Sequence, residues 1–209
     1  MKKQSNSINM IEKFRSTVSF KKFIEDGDKF KKDDKINSYK ISYPHFLKYF
    51  EDKANIDEHN LIIGINFVYG WMPTIFNYCS ASFKDALVIL NRAKQGYIPT
   101  KSELDSLKGL FNNSLVGTSK LLHFINPECF AIWDSKVYKY LTKNNANQNS
   151  ISKSESYLAY LEFCKELTEK EEYKKIHSQV CNAVGYEMTK FRTAELIMFS
   201  TKNDDGNEE

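Results

Sequence analysis

Long apolar runs are missing from this chain. No segment reaches eighteen apolar residues, which excludes an ordinary membrane-spanning helix. The first twenty residues are polar and charged, with no apolar stretch bounded by a cleavage motif, so no secretory leader is read there and a soluble, cytoplasmic protein is expected. Cysteines are few and scattered: Cys79, Cys129, Cys164 and Cys181 contain no Cys-x-x-Cys pair, which argues against a zinc or iron–sulfur site and fits thiols in a reducing compartment. His45, His59 and His177 stand isolated and suggest no ligand set, so neither metal nor cofactor is expected. A glycine-rich phosphate loop, an internal repeat and sustained strand-like alternation are also absent. What remains is helical periodicity, and the fold class it predicts is all-α.

With 209 residues, 41% of them hydrophobic, the chain can bury a sizeable core as one domain or two closely packed helical lobes. The expected division is a helical domain over 1–202 and an acidic, disordered tail over 203–209. The formal charge is +3, but the tail from Asn203 to Glu209 holds four acids, and without it the body stands near +7. Such a body is compatible with a polyanionic partner.

Ile8, Ile11, Phe14 and Val18 recur at helical spacing, predicting one amphipathic helix over 7–25 that ends near Gly27, followed by a mixed-charge loop over 29–40. Asp57 opens an apolar helix through Leu61, Ile65 and Val68, stopped by Gly70 and Pro73; with so little polar surface it belongs in the core. A helix follows from Ser82, its cap, to Gln95, with Gly96 as terminator. Thr100-Lys101-Ser102-Glu103 matches the capping box and predicts a helix from 101 to about 112. Further helices are expected over 118–126, ended by Pro127, and over 135–143. The Asn- and Ser-rich stretch 144–154 reads as a flexible loop. Tyr157, Tyr160, Leu161, Cys164 and Leu167 mark the inner face of a helix whose other face is densely charged. A final helix over 187–200 carries Phe191, Ala194, Ile197, Met198 and Phe199; Arg192 and Glu195, three apart, are read as an intrahelical ion pair.

The segment that carries chemistry is Gly117-Thr118-Ser119-Lys120-Leu121-Leu122-His123-Phe124-Ile125-Asn126-Pro127, followed by Phe130-Ala131-Ile132-Trp133-Asp134. Lys120 and Asp134 are ionisable residues in an otherwise apolar stretch, and burial disfavours both charged forms, which is how enzymes poise nucleophiles and acid–base groups. Each also has a structural reading: Lys120 as a solvated first-turn residue, Asp134 as a helix cap.

These residues resemble the catalytic core of helix-hairpin-helix DNA glycosylases, and within that superfamily the 8-oxoguanine glycosylase-like branch of bacteria and archaea. The likeness covers roughly residues 113 to 140. Tyr69-Gly70-Trp71-Met72-Pro73 and Thr189-Lys190-Phe191-Arg192-Thr193-Ala194-Glu195 also look like parts of these proteins. The resemblance implies an all-helical glycosylase-like fold, a flipped-out base, Lys120 as the Schiff-base lysine and Asp134 as the aspartate that assists glycosidic cleavage. Leu115-Val116-Gly117 supplies one hairpin glycine where the family has two, and alignment on Leu122-His123-Phe124 puts Ser119, not Lys120, at the lysine position.

A Gly-Thr-Ser helix start can also hold a DNA phosphate, so Gly117, Thr118 and Ser119 are expected backbone contacts. Extracting a base from the duplex demands a pocket with stacking surfaces, and Trp71, Trp133, Tyr69 and His123 are the aromatic candidates. The expected function is excision of a damaged or modified base from DNA, with AP lyase activity if Lys120 reacts, in repair or anti-phage defence. No protein partner is evident. A non-catalytic DNA-binding module on the same scaffold, and a helical protein-interaction domain, are the alternatives.

Overall fold

The computed structural model describes residues 2–31, 38–72 and 83–201. Among them are twelve α-helices, one 3-10 turn and no strand, so the protein is all-α. No described helix is long and apolar enough to cross a membrane. Pro73, Ser82, Cys79 and the tail over 203–209 lie outside the described residues.

The chain divides into two compact units: Met1–Lys32, Trp133–Ile151 and Glu155–Glu209 form the first, and Asp33–Ile132 with Ser152–Ser154 form the second. The first holds α1 (Lys2–Thr17), α2 (Phe20–Asp28), α8 (Ser135–Thr142), α9 (Gln148–Ile151), α10 (Ser154–Thr168), α11 (Tyr173–Val184) and α12 (Lys190–Ser200). The second holds α3 (Ser38–Glu51), α4 (Glu58–Gly70), α5 (Phe83–Lys94), α6 (Lys101–Lys108) with the 3-10 turn Gly109–Phe111, and α7 (Leu115–Ile125).

In the second unit α7 is central and packs against α3, α4, α5 and α6. Its sequence explains this, because Leu115, Leu121, Leu122, Phe124 and Ile125 leave it no continuous polar face and it buries nearly all round. Close approach requires glycine at Gly64 of α4, where a Cβ would stand 2.5 Å from Phe50 Cζ and 2.9 Å from Leu121 Cδ1. The expected caps are in place: Asp57 and Thr100 each form a capping box, with Asn60 and Glu103.

In the first unit α12 packs against α2, α8 and α11. Asp26 of α2 is buried, pairs with Lys22 and accepts a 2.8 Å hydrogen bond from the Tyr140 hydroxyl of α8. Burial, followed by the Asp26 charge, drives the Tyr140 pKa far above its ordinary value, so this phenol stays a donor. Arg192 and Glu195 form the intrahelical pair, with both side chains largely enclosed.

Several boundaries differ from the sequence reading, each for a local reason. The helix expected over 7–25 is two helices, because Ser19 leaves helical geometry and caps α2 by accepting from Lys22 N. Gly27, expected to terminate, lies inside α2, where a Cβ would be 2.7 Å from Ile176 Cγ2. α3 begins at Ser38, inside the expected loop, and carries Pro44 internally, a residue that argues against helix in sequence. The 144–154 loop contains the short α9, opened by Asn147 and Ser150 bonding each other's backbones. α11 has no counterpart in the sequence reading.

Candidate functional site

Asp134 opens α8 in extended geometry, and its Oδ1 accepts from the backbone N–H groups of Lys136 at 2.8 Å and Val137 at 3.1 Å. Both donors are taken by one oxygen, so Oδ2 carries no hydrogen bond among the described residues. The carboxylate is half-buried, and the apolar run before it holds it in place. Phe130, Ala131, Ile132 and Trp133 are buried, and Trp133 Nε1 donates to the Ile151 carbonyl at 2.9 Å. The chain is therefore clamped one residue ahead of Asp134, while the cap fixes it from behind.

Lys120 lies on α7, in the second unit, whereas Asp134 belongs to the first. α7 starts at Leu115, three residues earlier than expected, because Ser114 caps it by accepting from Gly117 N. Lys120 thus sits in the second turn, half-buried, with its ammonium donating to the Trp71 carbonyl at 3.0 Å. The early start also puts Gly117, Thr118 and Ser119, the expected phosphate contacts, inside the helix. Gly117 N is used by Ser114, Thr118 N bonds the Ser114 carbonyl, and the two hydroxyls fold back on the carbonyls of Ser114 and Val116. Thr118 and Ser119 are buried. The turn into α7 is made by Asn112 and Asn113, both at positive φ, instead of by glycine, and Gly117 packs on the Phe111 ring.

Of the four aromatic candidates for a base pocket, His123 and Trp133 are fully enclosed. His123 Nδ1 donates to the Phe130 carbonyl at 2.6 Å and its Nε2 accepts from the Tyr43 hydroxyl at 2.8 Å, the assignment that satisfies both ring nitrogens of a neutral imidazole. Trp133 packs on Tyr138 and Tyr160. Trp71 is nearly buried, with Nε1 donating to Ser42 Oγ at 2.8 Å. Tyr69 is half-buried and stacks on Phe111.

The structure does bring Trp71, His123 and Lys120 together. Tyr43 of α3 stacks between Trp71 and His123, at 5.9 and 5.7 Å, and Lys120 reaches the Trp71 backbone. Tyr43 was not legible as part of this cluster, because its helix hid behind Pro44. The sequence also missed a side-chain group in the first unit, His177, Cys181 and Glu187, whose donor atoms lie within 4.8 Å of one another. Its signal was the His-x-x-x-Cys spacing, which shares a face only if 173–184 is helical. Compared with known proteins, the chain matches no family model, no curated protein and no solved structure.

Proposed function

We propose that this chain is a DNA glycosylase-like enzyme, which takes a damaged or modified base out of the duplex and cleaves its N-glycosidic bond. One observation carries the reading: a half-buried aspartate at a helix start, clamped by a buried tryptophan, with one carboxylate oxygen spent on the cap and the other bonded to none of the described residues. As the bond breaks, its electron pair leaves with the base and positive charge develops on the sugar. A fixed carboxylate oxygen, prepaid in orientation, is suited to stabilise that charge. Water then adds at C1′ and loses a proton.

Hydrolytic cleavage through Asp134 is favoured over lyase chemistry. Lys120 donates to the Trp71 carbonyl, and imine formation at C1′ demands that it give up that bond and a proton. Purified protein is therefore expected to leave alkali-labile sites in duplexes carrying a modified base, with no borohydride-trapped protein–DNA adduct. An adduct lost in Lys120→Gln assigns the lyase role to Lys120 instead. Activity confined to hypermodified bases places the enzyme in anti-phage defence; activity on 8-oxoguanine places it in repair.

The second reading, a non-catalytic DNA-binding module, is favoured by the capping role of Asp134, which a purely structural aspartate would fill equally well. It predicts DNA affinity that falls with salt and excision that is absent on every substrate.

A further inference from the structure

α11 places His177 and Cys181 four residues apart, on one face of the helix. Gly185 then ends the helix at φ +95°, the left-handed cap that reverses the chain, and two residues later Glu187 returns beside them. The three donor atoms lie within 4.8 Å of one another, with Cys181 buried, His177 half-buried and Glu187 exposed. Cys181 Sγ lies 3.9 Å from His177 Nδ1 and 4.0 Å from His177 Nε2. Tetrahedral zinc, with bonds of about 2.0–2.3 Å, needs donors separated by about 3.3–3.8 Å. The sulfur–nitrogen pair is within a few tenths of an ångström of that, and the exposed Glu187 side chain closes the remainder.

Thr193 of α12 prepares the imidazole. Its Oγ1 lies 2.9 Å from His177 Nδ1 and 3.2 Å from the Thr189 carbonyl. A hydroxyl has one proton, and spending it on the Thr189 carbonyl leaves Oγ1 to accept from Nδ1–H. That tautomer puts the lone pair on Nε2 and makes it the ring's ligating nitrogen, the outer-shell arrangement of zinc-ligating histidines. The Tyr173 ring, stacked on His177 at 6.1 Å, holds the plane.

We infer that His177, Cys181 and Glu187 form a zinc-binding site with an open fourth position. Sulfur with imidazole excludes magnesium and calcium, which take oxygen ligands, and selects a borderline-soft cation. A thiolate and a carboxylate together neutralise Zn²⁺. Binding forms Zn–S, Zn–N and Zn–O bonds and releases the Cys181 thiol proton to solvent. The fourth position, beside exposed Glu187, takes water. This inference stands apart from the proposed DNA chemistry, and its test reads metal and not excision.

The full chain, reduced and stripped with chelator, is titrated with Co²⁺ and then Zn²⁺. One Co²⁺ per chain is expected, with a sulfur-to-cobalt charge-transfer absorption that Zn²⁺ bleaches and Cys181→Ser removes. Because Cys181 is buried, Glu187→Gln serves as the second variant: it should keep the helical circular dichroism and weaken Co²⁺ about tenfold or more. No sulfur absorption in the native chain, its survival in Cys181→Ser, or unchanged affinity in Glu187→Gln overturns the site.

Discussion

Asp134 caps α8 through Oδ1 alone, and that division of its two oxygens makes the cap separable from the proposed chemistry. Asparagine caps a helix about as well as aspartate, while alanine costs about 1 kcal/mol. Asp134→Asn should therefore melt with the native protein, and Asp134→Ala should melt lower, as thermal unfolding would read. Tyr140→Phe removes the 2.8 Å donor to buried Asp26 and leaves a carboxylate oxygen short of a partner; a loss of about 1–3 kcal/mol is expected in urea unfolding. Gly64→Ala drives a methyl against the ends of the buried Phe50 and Leu121 side chains, and should cost about 1–3 kcal/mol by the same measurement.

At the scale of elements, the end of α6 shows how charge fixes a helix junction. Asp105 accepts from Lys101, Lys108 and Ser154, and Lys108 also donates to the Ser152 carbonyl, so one carboxylate ties α6 to the segment Ser152–Ser154 of the same unit. Burial alone would raise the Asp105 pKa, but hydrogen bonds from Lys101, Lys108 and Ser154 outweigh it and hold it at about 2, below the ordinary 3.8. A depressed folded pKa contributes stability that is present above the unfolded value and lost as pH falls through the folded one. Denaturation midpoints should therefore drop between about pH 4 and pH 2, and Asp105→Asn should flatten that part of the profile.

Element types were legible where the local signal and the tertiary outcome agree. Asp57 with Asn60 and Thr100 with Glu103 mark helix starts by chemistry that acts within one turn, and the fold leaves them intact. α3 and α11 were not legible. The first contains Pro44, whose cost is offset by burial of Tyr43 and Phe50, and the second mixes Lys, His, Gln and Asn with a buried face of Tyr173, Ile176, Val180 and Cys181 that only packing on α2 and α12 reveals. The start of α7 was misplaced because Gly117 looks like a hairpin glycine, whereas the turn is made by two asparagines in left-handed geometry.

At the scale of the molecule, the chain forms two units, and the residues singled out in its sequence are shared between them. Lys120, Trp71, Tyr69 and His123 fall in one, Asp134 and Trp133 in the other. The capping role of Asp134 was readable because a helix cap acts within one turn. The fates of His123 and Trp133 were not, since apolar aromatic segments read alike whether they line a pocket or fill a core. The proposed function, on a body near +7, predicts an affinity for duplex DNA that falls at least about tenfold between 50 and 200 mM salt, as fluorescence anisotropy would show. The proposed function is tested most directly by alkali-labile site formation on duplexes carrying oxidised, deaminated, alkylated and hypermodified bases, with native protein and Asp134→Asn side by side. Cleavage by the native protein, reduced about 100-fold or more in a variant that still folds and binds DNA, is the predicted result. DNA binding without cleavage of any substrate, or cleavage that Asp134→Asn leaves intact, would contradict it.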